Sequence, residues 1–302
     1  MSESNHIIEP HGSAINYLID YKDGKIKQGL GIGTDLDRFM VFKRRPMCIC
    51  LGHDNTGKTA WSMWYYLCLV VRYKLRVCIW SGENQKGQIM RDLIQMLAGI
   101  PYHDLSHHQI RRLYFWLENY FEFVNNKRLY KPEDLLNIFG ESEAQICQID
   151  PFTGLDRDMS YEANYRFLNE ARQFVNQSGK TLYISTHPNT ESGRSSMIFQ
   201  EGDFKGNLKP PLRSHIEGGK SFLNRTDDMF ICHRMPGHKT MRYFTMILVE
   251  KIKDKETGGQ ITPLNEPVLC DWNYGLGFKI NGVDPLENYR PDLSKKNDPK
   301  LF

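Results

Sequence analysis

One eight-residue segment constrains the fold of this chain more than any other part of the sequence. In Gly52-His-Asp-Asn-Thr-Gly57-Lys58-Thr59, two glycines flank four residues, and a lysine and a hydroxyl side chain follow directly. An apolar run at 47–51 precedes the segment, and a pattern typical of a long helix, 58–74, follows it. Glycines let backbone N–H groups turn toward phosphate oxygens, and the positive end of the helix dipole faces the same point. The segment therefore predicts a strand, a phosphate-binding loop and a helix, in that order.

The loop residues predict a site for a nucleoside triphosphate. We expect the Lys58 ammonium to reach the β- and γ-phosphates and the Thr59 hydroxyl to bind magnesium. The other loop residues are expected to surround the phosphates, largely through their backbone: Gly52, His53, Asp54, Asn55, Thr56 and Gly57. The predicted cofactors are ATP, or another nucleoside triphosphate, and Mg²⁺. The loop does not indicate which reaction uses the nucleotide.

Strand and helix patterns alternate after this loop and predict an α/β fold. Strand patterns lie at 47–51, 76–81, 121–124, 144–150, 180–186, 228–233 and 243–250. Helix patterns lie at 58–74, 85–97, 106–119, 132–139 and 161–177. Such alternation is typical of a mostly parallel sheet with helices on both faces. Because the last strands follow one another without a helix, we expect an antiparallel hairpin extension at the C-terminal end of the sheet.

Composition excludes several classes of protein. The 302 residues carry a net charge of +3, which is too small to indicate a polyanion-binding surface over the whole molecule. Seven cysteines lie mostly in apolar runs and include no Cys-x-x-Cys pair, so we expect buried, reduced thiols. The start of the sequence lacks the pattern of a signal peptide, and no apolar run approaches the roughly 20 residues that span a bilayer. A protein of a reducing compartment, such as the cytoplasm, is expected.

Three polar residues end predicted strands and are candidates for the chemistry. Asp150 would hold magnesium with Thr59, and Glu83 ends the second strand after the loop. Because the ends of parallel strands meet at one edge of a sheet, Glu83 can orient or deprotonate the water that attacks the γ-phosphate. His187 ends another strand and is a candidate sensor of that phosphate. Each can also be an ordinary solvated or capping residue at a strand end.

These residues, with 227–234 and 251–259, occur in the order found in one family. The sequence resembles the RecA-like motor domain of replicative hexameric DNA helicases of the DnaB, Twinkle and phage primase–helicase types, over roughly residues 27–285, and most closely the phage versions. The resemblance implies a RecA-like P-loop NTPase fold and a ring, usually of six subunits, that moves 5′ to 3′ along single-stranded DNA. It also implies NTP hydrolysis at subunit interfaces. Lys58 and Glu83 would be catalytic, and His187 the sensor.

The family's Lys-x-Arg pair, which reaches into the neighbouring subunit's site, corresponds to Lys251 and Lys253. The lysine at 253 departs from the family pattern, and lysine offers a point charge where arginine offers a planar fork. Arg234 or Arg242 is an alternative source of the missing guanidinium. Both lysines can also be solvated charges at a strand end.

The irregular segment 188–220 is the predicted DNA contact. It combines glycines with basic residues, of which Arg213 and Lys220 lie nearest to the DNA loop of the resembling family. Basic side chains and free backbone N–H groups suit phosphate contacts that ignore base sequence. A second candidate is the segment 153–157, which includes Arg157. The acidic residues of 188–220 leave a plain surface loop as the alternative.

Three parts of the chain are expected: a tail with a short linker helix at 1–26, the motor domain at 27–285 and a tail at 286–302. The helix pattern at 14–21, with Ser13 as its cap, has an apolar stripe too small for a core of its own, and we expect it to pack on an adjacent subunit. Neither a primase module nor a collar domain is recognisable. We therefore expect any primase or loader to be a separate chain, and ring closure to depend on the motor interfaces.

Two other functions remain open at this level. A recombination ATPase of the RecA type would share the sheet and Glu83 but would form filaments and exchange strands. A nucleotide sensor or kinase would need neither DNA nor oligomers. Oligomeric state and dependence on DNA discriminate among the three.

Overall fold

The structure, a computed structural model, describes residue 12 and residues 14–25 and 28–295, apart from the side chain of Lys220. Seven α-helices lie in this part of the chain: α1 Ile15–Lys22, α2 Lys58–Tyr73, α3 Lys86–Ala98, α4 His107–Glu118, α5 Pro132–Glu141, α6 Tyr161–Ser178 and α7 Lys220–Arg225. Nine strands accompany them: β1 Met47–Leu51, β2 Val77–Ser81, β3 Phe121–Phe123, β4 Ile146–Asp150, β5 Thr181–Thr186, β6 Asp228–His233, β7 Phe244–Lys251, β8 Val268–Trp272 and β9 Phe278–Ile280.

The nine strands form one sheet in the order β3-β2-β4-β5-β1-β6-β7-β8-β9. The first six of these strands are parallel, and β7, β8 and β9 are added antiparallel. The predicted fold class, a mostly parallel α/β sheet with a C-terminal antiparallel extension, is confirmed. The phosphate-loop strand β1 lies in the middle of the sheet, between β5 and β6, so its end faces the ends of several neighbouring strands.

Alternating side chains of the central strands enter two separate hydrophobic cores. In β1, Cys48 and Cys50 join the core shared with α2, α3 and α4, whereas Met47, Ile49 and Leu51 join the core shared with α5, α6 and α7. Every residue of β1 is buried, as expected for a strand covered on both faces. Because helices cover both faces of the sheet, the strand ends are the part of the sheet where a functional site can form.

Helix α2 is buried on nearly all sides and anchors the phosphate loop. Trp61 packs on Phe230 with ring centroids 5.1 Å apart and donates from Nε1 to Cys270 Sγ at 3.4 Å. Trp64 packs on Phe278 at 5.2 Å. The C-terminal strands thus cover this helix, which explains why its sequence is apolar far beyond one stripe.

Three features differ from the sequence predictions. Helix α7 lies at the end of the segment expected to be irregular, and β8 and β9 were not predicted individually. Packing also continues beyond residue 285, because Leu286 is fully buried and Leu293 contacts the same core. The three domain boundaries stay predictions.

Helix α1 contributes nothing to either core. All of its residues are exposed, including Tyr17 and Leu18, and Tyr17 Oη donates to Glu256 Oε2 at 3.1 Å. The predicted helix is therefore present with a shift of one residue, and its apolar side chains have no partner within the described core. The proposed cap, Ser13, lies outside the described residues.

All seven cysteines are free and buried. Burial raises the pKa of every one of these thiols, to about 12 for Cys78 and Cys232. The prediction of buried, unpaired thiols is confirmed. Among the described helices, none combines the length and apolar character needed to cross a membrane.

Candidate functional site

The phosphate loop leaves β1 and turns directly into α2. A Cβ atom at Gly52 would lie 2.4 Å from the carbonyl oxygen of Cys232, so only glycine fits between β1 and β6 at this point. Gly57 has φ +82°, in the left-handed region that favours glycine, and Asn55 has φ +58°. Both motif glycines are thus explained by backbone geometry, one by close approach and one by conformation.

Lys58 lies at the centre of the loop. Its Nζ donates to the carbonyl oxygens of Gly52 at 2.8 Å and His53 at 2.9 Å, and it lies 3.4 Å from Nδ1 of His187. The side chain is buried, so its charge is held among carbonyl oxygens and not in bulk water. This position suits a cation that binds phosphate oxygens inside the loop.

Thr59 and Asp150 meet as the sequence predicts for a magnesium site. Thr59 Oγ1 donates to Asp150 Oδ2 at 2.6 Å, and the carboxylate, at the end of β4, is buried. Hydroxyl and carboxylate oxygens are the ligands that Mg²⁺ prefers. The pair therefore fits the ion and would hold it together with oxygens of the bound phosphates. Within the described residues, no group of three or more His, Cys, Asp or Glu forms a separate metal site.

Glu83 reaches the same edge of the sheet because β2 and β4 are in register. Ser81 pairs with Asp150, so Glu83 follows two residues beyond that point. A Cβ at Gly82 would lie 2.9 Å from Cη2 of Trp80, so glycine lets the chain pass over the indole ring on its way to Glu83. The Glu83 side chain is 59% exposed, which leaves its carboxylate accessible to water.

His187 connects the phosphate loop to Glu83. Its Nδ1 lies 2.7 Å from Asp54 Oδ1, and its Nε2 lies 3.7 Å from Glu83 Oε1. The imidazole follows β5, which lies between β1 and β4, so it stands between the loop and the magnesium-binding pair. A histidine in this position can contact a γ-phosphate and the strand that leads into the segment 188–220.

These residues line one open cleft of about 550 Å³. The lining consists of loop residues 54–59 with Glu83, Asp150 and His187, and of residues from α2 and α3, including Met63 and Met96. The side chains that α3 contributes and the pairing of Asp54 with His187 are not predicted from the sequence. Neither contact has a local signal, because each joins residues that are far apart in the chain.

Lys251 and Lys253 lie at the opposite edge of the sheet. Lys251 pairs in register with Met229, next to the first residue of β6, whereas the phosphate loop faces the last residues of that strand. Lys251 Nζ donates to the carbonyl oxygens of Leu223 at 2.6 Å and Thr226 at 2.5 Å, and burial lowers its pKa. The ammonium of Lys251 is thus hydrogen-bonded within its own chain.

Lys253 is 65% exposed and lies 3.1 Å from Asp227 Oδ1. It lines a cleft of about 930 Å³, together with Lys43, Arg44, Arg45, Arg172 and Lys255. Neither Lys251 nor Lys253 can reach the phosphate loop of its own chain, because the length of the sheet separates them from it.

Arg234 and Arg242 lie at the phosphate-loop edge. Cδ of Arg234 would be 3.8 Å from a Cβ at Gly57, and Nη2 of Arg234 donates to the carbonyl oxygen of Arg242 at 3.0 Å. Neither shares the edge that carries Lys253. They are therefore not at the position of Lys253, and a contact of either arginine with a neighbouring subunit's site stays a prediction.

The predicted DNA contacts have different outcomes. Arg213 is exposed. Burial raises the pKa of Glu250, and the positive charge of Arg213 has the smaller, opposite effect on that pKa. Lys220 begins α7, and its side chain lies outside the described part. Arg157 is not available for DNA, because its side chain is only 7% exposed, packs over Phe152 and pairs with Glu217 at 3.6 Å. The side chain of Arg157 is thus excluded as a contact, whereas DNA binding by the rest of the segment 153–157 stays a prediction.

No protein-family model and no curated protein matches this sequence. Solved structures do match. The ATPase domain of one helicase superposes with a TM-score of 0.69, at 13% sequence identity, over 91% of this chain and 100% of that one. A DnaB-like replicative helicase, solved in a study of its interactions with primase, gives 0.69 and 13% over 90% of this chain and 68% of that one. At such low identity the matches establish the fold only. The chain has the RecA-like fold of a DnaB-type helicase motor domain. The resemblance drawn from the sequence motifs is thus confirmed for the fold.

Proposed function

We propose that this chain is the motor of an ATP-dependent replicative DNA helicase. It assembles as a ring of six subunits, as in the family that the sequence motifs resemble. The ring moves 5′ to 3′ along single-stranded DNA, and nucleotide hydrolysis takes place between its subunits.

The single observation that carries the proposal is the division of the charged groups between the two edges of the sheet. Lys58, Glu83 and Asp150 share one cleft, whereas Lys253 lies exposed at the far edge. Lys253 therefore has no role in the nucleotide cleft of its own chain. In a second copy of the chain, the same cleft is a site on which Lys253 could act.

Within one cleft the chain's own residues would act as follows. Lys58 and the loop N–H groups bind the phosphates, and Thr59 and Asp150 hold Mg²⁺, which neutralises charge on the phosphate oxygens. Glu83 accepts a proton from the attacking water as the new P–O bond forms and the bond to the β-phosphate bridging oxygen breaks. His187 contacts the γ-phosphate and follows its loss.

The far edge supports hydrolysis between subunits. Lys253 is held by Asp227, which is buried and also accepts a hydrogen bond from Met47 N at 2.9 Å. A cation supplied by a neighbour is worth several orders of magnitude in rate in other phosphoryl-transfer enzymes. Lysine lacks the fork of arginine, so we expect Lys253 to give a smaller effect. Lys251, whose ammonium is bound to α7, would support β7 and not contact phosphate.

DNA would be bound by basic residues of the segment 188–220, including Arg213 and Lys220, through its phosphates. The exposed apolar side chains of α1 would pack on an adjacent subunit. One of the matched structures concerns a helicase and its interactions with primase. We propose by analogy that a separate primase or loader cooperates with this chain, in the cytoplasm of a bacterium or an infected host cell.

The test combines three measurements on the full chain. The size of the assembly is measured with and without Mg²⁺–ATP and single-stranded DNA. ATP hydrolysis is measured with and without the DNA. Unwinding is measured on duplexes in which the single-stranded tail available for loading is either the 5′ or the 3′ tail. We expect a ring, hydrolysis stimulated by DNA, and unwinding only with the 5′ tail. The Lys58→Ala variant should lose hydrolysis and unwinding together.

Other outcomes identify the alternatives. Helical filaments that exchange strands without unwinding would indicate a recombination ATPase. Hydrolysis by a monomer that ignores DNA would indicate a nucleotide sensor or kinase. Either result contradicts the helicase proposal.

A further inference from the structure

Three histidines fasten one surface excursion to the nucleotide edge of the sheet. The excursion, residues 189–209, follows β5 and includes a short ladder in which Ile198 bridges Leu208. His53 contacts Ser192, His233 contacts Leu208, and His238 contacts Asp203. The histidines come from the phosphate loop, the end of β6 and the turn after β6. They therefore hold the excursion at three separate points.

The direction of each hydrogen bond follows from its partners. Ser192 Oγ donates to the carbonyl oxygen of Asn189 at 2.8 Å, so it accepts from His53 Nε2–H at 3.0 Å. His233 and His238 each face a carbonyl oxygen, at 3.1 and 3.0 Å, which can only accept. All three imidazoles thus donate from Nε2. Burial lowers the pKa of His53, with a further contribution from Lys58, and this favours a neutral ring whose proton is on Nε2.

His53 differs from the other two because it belongs to the phosphate loop itself. Its carbonyl oxygen accepts from Lys58 Nζ at 2.9 Å, and its side chain contacts Ser192, which is buried. A phosphate bound in the loop competes with the His53 carbonyl for the Lys58 ammonium. Because the His53 imidazole contacts Ser192, a shift of the His53 peptide would be transmitted to Ser192 through that side chain.

We propose that His53 and Ser192 couple occupancy of the phosphate loop to the conformation of the excursion 189–209. This connection is separate from the one that His187 makes through β5. His53 and Ser192 act as positioning residues, because they change the placement of basic residues such as Lys205 without contacting DNA themselves. The inference rests on the proposed function for the occupant of the loop, a nucleoside triphosphate, and not on the helicase activity.

Backbone hydrogen exchange tests the coupling directly. Exchange in 189–209 is measured with and without adenylyl imidodiphosphate and Mg²⁺, in the wild type, in Ser192→Ala and in Ser195→Ala. Ser195 is exposed in the same excursion and serves as the matched control. In the wild type and in Ser195→Ala, we expect the nucleotide to change exchange by about fivefold, as expected for one hydrogen bond. In Ser192→Ala that response should be lost, with unchanged affinity for the nucleotide and with cooperative unfolding retained at a melting temperature lower by several degrees, because a buried hydrogen-bonding group is removed.

Substitution of His53 provides a second arm at saturating nucleotide. His53→Gln keeps an N–H donor on a side chain of similar reach and should keep the response, whereas His53→Leu should lose it. A full response in Ser192→Ala, or no response in a wild type that binds the analogue, overturns the coupling.

A DNA arm separates this inference from the proposed function. If the wild type is stimulated by single-stranded DNA, Ser192→Ala should keep its basal hydrolysis and lose most of the stimulation; full stimulation would overturn the coupling. If the wild type ignores DNA but its excursion still responds to nucleotide through Ser192, the helicase proposal fails and the coupling stands.

Discussion

At the scale of single residues, Glu83 is the group whose chemistry is most specific. Its carboxylate is accessible to water and lies beside His187, at the edge that carries Asp150. Glu83→Gln keeps the size of the side chain but removes the proton acceptor. We expect kcat for ATP hydrolysis to fall on the order of 10²–10⁴-fold. Nucleotide affinity should change little, because the phosphate loop is intact.

The measurement is steady-state hydrolysis with nucleotide binding determined separately on the same preparation. Near-normal hydrolysis by Glu83→Gln would contradict its role as the general base. A parallel loss of nucleotide affinity would instead indicate that Glu83 helps to bind the substrate.

His233 predicts a dependence of stability on pH. Burial, with a smaller effect of His53, lowers its pKa from 6.5 to about 4. The unfolded chain therefore binds more protons than the folded one between these values, and the stabilising effect of the neutral ring is lost as the pH falls through that window. From the two pKa values, the loss at pH 5 is about 2 kcal/mol.

His233→Gln retains a donor for Leu208 and removes the titration. Urea unfolding of the wild type and of this variant, at about pH 7.5 and at about pH 5, should show a smaller loss of stability in the variant. Equal losses in the two proteins would show that another group titrates in this window.

At the scale of elements, the turn from β2 into α3 determines where Glu83 lies. Gly82→Ala would bring a Cβ within 2.9 Å of the Trp80 ring and displace the chain just before Glu83. We expect kcat to fall by about tenfold to 10²-fold with nucleotide affinity nearly unchanged, because misplacement of about 1 Å can cost up to about 10²-fold in rate. The variant is to be compared with the wild type in the same hydrolysis and binding measurements.

Gly87→Ala is the matched control. It makes the same substitution five residues later, inside α3, where nothing lies within 4 Å of the new Cβ. It should leave hydrolysis intact and stabilise the protein by up to about 1 kcal/mol. If both variants lose activity equally, the contact with Trp80 is not the cause.

The elements also show what can be predicted from the sequence. The loop from β1 to α2 and the parallel strands are predictable almost to the residue, because apolar runs, glycines and helical periodicity are local signals. Helix α7 was missed because it has only six residues and follows a glycine-rich segment. The contacts of Arg157 and Lys251 were missed because they depend on residues that only the fold brings close.

At the scale of the whole molecule, the two edges of the sheet predict complementation between damaged chains. Under the proposed function, Lys253→Ala would impair the site of a neighbour, whereas Glu83→Gln would impair the chain's own site. Mixed rings would then contain some interfaces in which an intact Glu83 faces an intact Lys253. We therefore expect the mixture to hydrolyse ATP faster than the average of the two variants alone.

The measurement is DNA-stimulated hydrolysis across mixing ratios, after the chains have been allowed to exchange. Lys255→Ala, which removes a cation from the same cleft, is the control for a general change in charge. Activity that follows the simple average at every ratio would contradict action between subunits.

The buried thiols have a practical consequence for all of these measurements. Because every native cysteine is shielded and resists ionisation, maleimide reagents should leave the folded protein unmodified. One cysteine placed on the exposed surface of the excursion, at Ser196 for instance, would then carry a fluorophore alone, with no need to remove the native seven. Under the proposed function, any movement of that segment could be followed in real time while a single labelled assembly hydrolyses its nucleotide.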